Sequence, residues 1–154
     1  MADTPQENTA PPQENTAPTR ENTAPTPMVL IVDDARDGRE SCADYLSFRG
    51  YRVATAEDGE EALDRAFELL PDIILMDLRL PKMDGLEATM ILKKDERTRA
   101  IPIIAVTAHA LPTTHEEAIA AGCESVITKP CAPRELEAAI RDELGAGSAE
   151  GNGA

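Results

Sequence analysis

No apolar run in this chain approaches the roughly 18 residues that a membrane-spanning helix requires, and the N-terminus lacks the apolar core of a secretory signal. Basic residues are scarce: 15 Lys and Arg stand against 29 Asp and Glu, a formal charge of −14. Setting aside residues 1–27 and 145–154 removes five acids and one base, which leaves 24 acids and 14 bases, or −10, and no basic stripe. Direct nucleic-acid binding is excluded on that charge balance. Cysteines are few and odd in number (Cys42, Cys123 and Cys131), with no CxxC pair, which fits reduced thiols in a cytoplasmic protein rather than a disulfide framework. Together with His109 and His115 they match no zinc spacing.

Large apolar side chains are also nearly missing from residues 1–27. These residues repeat with period seven instead: PQENTAP at 5–11, PQENTAP at 12–18 and TRENTAP at 19–25. A coiled-coil heptad needs two apolar seam positions and tolerates no proline in each turn, so this segment is expected to be a disordered, solvated arm. Residues 145–154, rich in Gly and small side chains, read as a flexible tail. One domain is expected, over 28–144.

Within it, Met28-Val-Leu-Ile-Val32, Ile73-Ile-Leu-Met76 and Ile103-Ile-Ala-Val106 are too short for helices and lack polar alternation. They predict strands covered on both faces. Tyr51–Thr55 and Ser125–Thr128 are weaker strands of the same sheet. Helical patterns lie between them. Asp58-Gly-Glu-Glu61 and Asp84-Gly-Leu-Glu87 have capping-box spacing, Gly50 and Gly122 stand where helices end, and Pro112 and Pro133 stand where first turns accept proline. The last helix carries Leu136, Ala139, Ile140 and Leu144 on one stripe, with Arg134, Glu137 and Arg141 mostly off it. Strand and helix alternate five times, which predicts a doubly wound parallel sheet with helices on both faces.

Ligand sites in such sheets lie outside the carboxyl ends of the strands. There the polar residues gather: Asp33 and Asp34 after the first strand, Asp77 after the third, Thr107 after the fourth, and Lys129-Pro130 after the fifth. Three neighbouring carboxylates would raise one another's pKa unless a cation neutralised them. An all-oxygen anionic pocket suits Mg²⁺, a hard ion that combines one or two carboxylates with waters and phosphate oxygens. Thr107 and Lys129 add a hydroxyl and a positive charge suited to a phosphoryl group.

The stretches "LIVDD" at 30–34, "DIILMDLRLPKMDGLE" at 72–87, "IPIIAVTAHA" at 101–110 and "KP" at 129–130 closely resemble the receiver domain of bacterial response regulators, across essentially all of 28–144. The resemblance implies a flavodoxin-like α/β/α fold of three layers, with five strands in the order 2-1-3-4-5 and five helices. It implies that Asp77 is a phospho-acceptor, taking a phosphoryl group from a phosphohistidine of a sensor histidine kinase or histidine phosphotransfer protein. Asp34 would bind Mg²⁺ directly and Asp33 through water, with the Asp77 carboxylate and the backbone carbonyl of Arg79 completing the protein ligands. Thr107 and Lys129 would hold the phosphoryl oxygens, Arg79 and His109 would influence the lifetime of the acyl phosphate, and a cis peptide would precede Pro130. No output domain follows residue 144, so a stand-alone regulator is expected, signalling through an unknown downstream target or relaying the phosphoryl group. That partner would meet helix four, strand five and helix five, or helix one.

One departure is plain: receivers commonly carry Tyr or Phe three residues before the lysine, and this chain has Val126. The aromatic readout of activation is therefore in doubt, and movement of the loop after Thr107 and of the fourth helix is expected in its place. An alternative is a binding module of receiver fold that works without phosphorylation. A phosphatase using a strand-end aspartate is a poorer fit, because that chemistry wants a second acid two residues on, where Arg79 stands. The chain is accordingly expected to be a signalling protein rather than an enzyme acting on an external substrate.

Overall fold

The computed structural model describes residues 26–108 and 111–151. The repeat arm up to residue 25, His109 and the end of the tail at 152–154 lie outside the described residues. Elements alternate as β1 (Met28–Val32), α1 (Arg36–Phe48), β2 (Arg52–Ala56), α2 (Gly59–Leu69), β3 (Ile73–Asp77), α3 (Gly85–Lys94), β4 (Ile103–Thr107), α4 (Pro112–Ala121), β5 (Ser125–Thr128) and α5 (Pro133–Gly151). All strand pairings are parallel, in the order β2-β1-β3-β4-β5. This is the expected flavodoxin-like topology.

The unbroken apolar runs exist because each strand buries both faces. Leu30, Val32, Ile74, Met76 and Ile103 point to one side, where Ala62 and Ala66 of α2, Ala88 and Leu92 of α3 and Ala118 of α4 meet them. Val29, Ile31, Ile73, Leu75 and Ile104 point to the other, against Cys42 and Leu46 of α1 and Leu136 and Ile140 of α5. Each fully buried Ile or Leu contributes roughly 2 kcal/mol. Small alanines on α2, α3 and α4 let those helices lie close to the sheet.

Helix boundaries follow local chemistry. Asp58 accepts from the Glu61 N–H at 2.8 Å and Asp84 from the Glu87 N–H at 2.9 Å, as the capping spacing predicts. Gly122 closes α4 with φ 119°, and Gly50, just past the α1 cap, takes φ 100°. Pro112 is the first residue of α4 and Pro133 the first of α5. The Lys129–Pro130 peptide is cis, as the resemblance implied.

Two expectations need correction. Helix α5 runs beyond 144 as far as Gly151, with Ala146, Ala149 and Glu150 favouring the helix and Gly145 and Gly147 opposing it. Glu137, expected off the apolar stripe, is only 4% exposed. Its carboxylate accepts from Arg49 Nε at 3.1 Å and from the Tyr45 hydroxyl at 3.3 Å, so partners on α1 compensate the burial.

Candidate functional site

Strand order reverses between β1 and β3, and the crevice of a doubly wound sheet opens at that point. In register, Val32 pairs with Met76 and Asp77 with Val106, so the residues that follow these strands emerge side by side. Asp33, Asp34 and Asp77 come together there, each offering a carboxylate oxygen within 4.8 Å of the others. Lys129 reaches the same point from the end of β5, its Nζ 3.0 Å from Asp77 Oδ2 and 3.3 Å from Asp33 Oδ2. The lysine is tied to β4 through its own N–H, which donates to the Thr107 carbonyl at 2.7 Å. Thr107 is buried at the end of β4, in register with Thr128.

The backbone around Asp77 is tightly determined. Its Oδ1 accepts from the Arg79 N–H at 3.0 Å, fixing one carboxylate oxygen and leaving the other to Lys129. Beneath it, Gly85 donates to the Leu78 carbonyl at 3.2 Å, and a Cβ on Gly85 would overlap the Asp77 carbonyl oxygen. Asp33 is anchored as well: its Oδ1 accepts from the Ala35 N–H at 2.9 Å, and its carbonyl accepts from Arg39 Nη1 at 2.9 Å. Arg39 is itself buried and reaches Glu57 at 3.6 Å on the β2–α2 connection.

Burial pushes the Asp77 carboxyl above the usual carboxylate range, and the Asp33 charge adds to it, against the pull of the Arg79 N–H and Lys129. For Lys129 burial works against the charge, but the Asp77 and Asp33 carboxylates outweigh it and hold the ammonium above its ordinary value. The cluster thus stores excess negative charge that one lysine offsets only in part. Three hard oxygen donors on a partly open rim fit Mg²⁺, an ion that keeps several waters, and they poorly fit a softer metal. No cluster containing Cys or His was found among the described residues.

The described residues expected to form the site, Asp33, Asp34, Asp77, Arg79, Thr107 and Lys129, therefore lie at one end of the sheet, while His109 lies outside the described residues. Arg39 and Gly85 escaped that reading. The glycine in "MDGLE" could have signalled a close backbone approach, whereas nothing in the sequence separates Arg39 from a surface charge.

The profile of the response regulator receiver domain matches residues 29–141. The chain belongs to the response regulator receiver family. It is 44% identical over 121 residues to the polar-differentiation response regulator DivK of Brucella ovis, spanning 78% of this chain and 98% of that protein. Among solved structures, the receiver domain of sensor histidine kinase PA1611 from Pseudomonas aeruginosa PAO1 is similar at 35% identity and a TM-score of 0.73, over 79% of this chain and 99% of that one. That structure has a magnesium ion coordinated in its active-site cleft. Chemotaxis response regulator CheY4 of Vibrio cholerae is similar at 30% identity and a TM-score of 0.73, over 77% of this chain and 98% of CheY4.

Proposed function

We propose that this receiver accepts a phosphoryl group on Asp77 from the phosphohistidine of a sensor histidine kinase or histidine phosphotransfer protein, and signals by a change in protein binding or by passing the group on. The observation that carries the reading is the seating of Asp77: nearly buried, backbone-fixed on one oxygen, and 3.0 Å from Lys129 on the other. One carboxylate oxygen is engaged by the backbone while the other is held by the Lys129 ammonium. Asp77 Oδ2 is thereby aligned as a nucleophile without a search over rotamers. On attack the bond between phosphorus and the histidine nitrogen breaks as the bond to the Asp77 oxygen forms.

Asp33, Asp34, Asp77 and the Arg79 carbonyl would hold Mg²⁺, which neutralises the charge between carboxylate and phosphoryl oxygens. Lys129 would exchange its carboxylate partners for phosphoryl oxygens, and the Thr107 hydroxyl would bind another. The turnover is of the protein's own acyl phosphate, so the chain is read as a signalling protein of the cytoplasm rather than an enzyme. No helix among the described residues is long and apolar enough to cross a membrane.

Intact mass after incubation with acetyl phosphate and Mg²⁺ tests this. One added phosphoryl group, absent from Asp77→Asn and absent without Mg²⁺, is the expected result. No gain under conditions that label another receiver would overturn it in favour of a module working without phosphorylation, the reading that Val126 invites. Val126 packs against the α2–α4 side of the core, where the family commonly places an aromatic ring.

A further inference from the structure

On the α1/α5 side of the sheet a cavity of about 500 Å³ opens beside the carboxylates. Ile31, Leu75 and Val106 form its floor, Cys42 and Leu136 its flanks, and Cys131 lies on the β5–α5 connection above it. Its size falls within the roughly 300–1,000 Å³ of small-molecule sites, and like them it is mainly apolar with a few polar groups at one end.

The α1 wall is what keeps it open. Ala35, Gly38 and Ser41 face the space, where larger side chains would close it. Gly38 is not required by the backbone, since its φ is not positive and an added Cβ would meet only Asp33 Oδ2, at 3.4 Å, an ordinary contact. Glycine inside a helix is destabilising relative to alanine. What Gly38 supplies is therefore space, at some expense to the helix.

The polar end consists of Asp33, Asp77 and Lys129. Two carboxylates facing one ammonium leave one negative charge unmatched. We infer that the cavity binds a small, mainly apolar organic molecule with a single cationic head, its amine on Asp33 and its body between α1 and α5. This goes beyond phosphoryl transfer and does not rest on it, although the shared Asp33 and Lys129 make the two events compete.

The test uses the full chain, labelled with ¹⁵N and without any phosphoryl donor, so that failure of phosphorylation leaves the outcome readable. Naphthylmethylamine is titrated beside neutral naphthylmethanol. Saturable amide shifts at Gly38, Cys42, Ala108 and Cys131 are expected, with the amine binding about tenfold tighter through its charge-assisted hydrogen bond. Gly38→Leu and Ser41→Leu, which fill the cavity from two positions, should each abolish the shifts while keeping a cooperative thermal transition. Absence of saturable shifts, or shifts that persist in both folded variants, would overturn the site. Equal binding of the alcohol would overturn the cationic head.

Discussion

Replacing Gly85 by alanine drives a methyl group into the main chain that carries Asp77. The added Cβ would overlap the Asp77 carbonyl oxygen and lie 2.9 Å from Leu78 Cα and 3.0 Å from the Asp77 carbonyl carbon. Backbone atoms cannot rotate away, so α3 or the β3–α3 connection must shift, and overpacking of this kind costs roughly 1–3 kcal/mol. Alanine's helix preference over glycine returns at most about 1 kcal/mol. The net expectation is a loss of up to about 2 kcal/mol, or up to about 8 °C in Tm for a domain of this size. Gly38→Ala is the matched control: its Cβ meets one atom at 3.4 Å, so the helix preference should act alone. Calorimetry should find it more stable by about 0.5–1 kcal/mol, a rise of about 2–4 °C. A Gly85→Ala protein melting at or above the parent would refute the close-approach reasoning, and so would a Gly38→Ala protein melting well below it.

Other perturbations separate in the same way. Lys93 Nζ donates to the carbonyls of Ile101 at 2.7 Å and Arg99 at 3.2 Å and pairs with Glu124 at 3.2 Å. Lys93→Met should cost about 2 kcal/mol in urea unfolding, because partly buried carbonyls lose a charged donor. Burial pushes the Cys42 thiol up to about 12 and the Cys123 thiol up to about 11, so native protein treated with iodoacetamide at pH 8 should be modified first at the half-buried Cys131, as read by peptide mass. Since the folded pKa of Cys42 lies above the ordinary 9.0, its contribution is complete below pH 9 and is lost as pH rises toward 12, a slope that Cys42→Ala should reduce. Asp77 follows the same sign at lower pH: its raised pKa means that the fold favours the neutral acid, and ionisation by neutral pH works against stability. Asp77→Asn should therefore melt no lower than the parent at pH 7, while losing phosphorylation.

Much of this architecture was legible because polar residues punctuate apolar runs. The Asp33-Asp34 pair marks the end of β1 and Lys129-Pro130 follows β5, and the two Asp-Gly starts of α2 and α3 carry their caps within four residues of sequence. What stayed hidden depends on contacts distant in sequence. Glu137 stood off the apolar stripe of its own helix, and its burial depends on Tyr45 and Arg49, at the end of α1. Arg39 became visible as a buried brace only when α1 was set against the end of β1. The reach of α5 to Gly151 was missed for a different reason, since Gly145, Gly147 and Gly151 disfavour a helix by local propensity.

Asp33 belongs to two structures at once. Its carboxylate faces Lys129 and the other acids, while the same side chain accepts from the Ala35 N–H in the turn that leads into α1 and its carbonyl holds Arg39. A substitution there changes the charge of the site and loosens the start of a helix together, so a lost activity in Asp33→Ala would not by itself report metal binding. Asp34 accepts no such structural bond among those described, and is exposed. Of the two adjacent acids, the second is the clean reporter of chemistry and the first is a hinge pin that also carries charge.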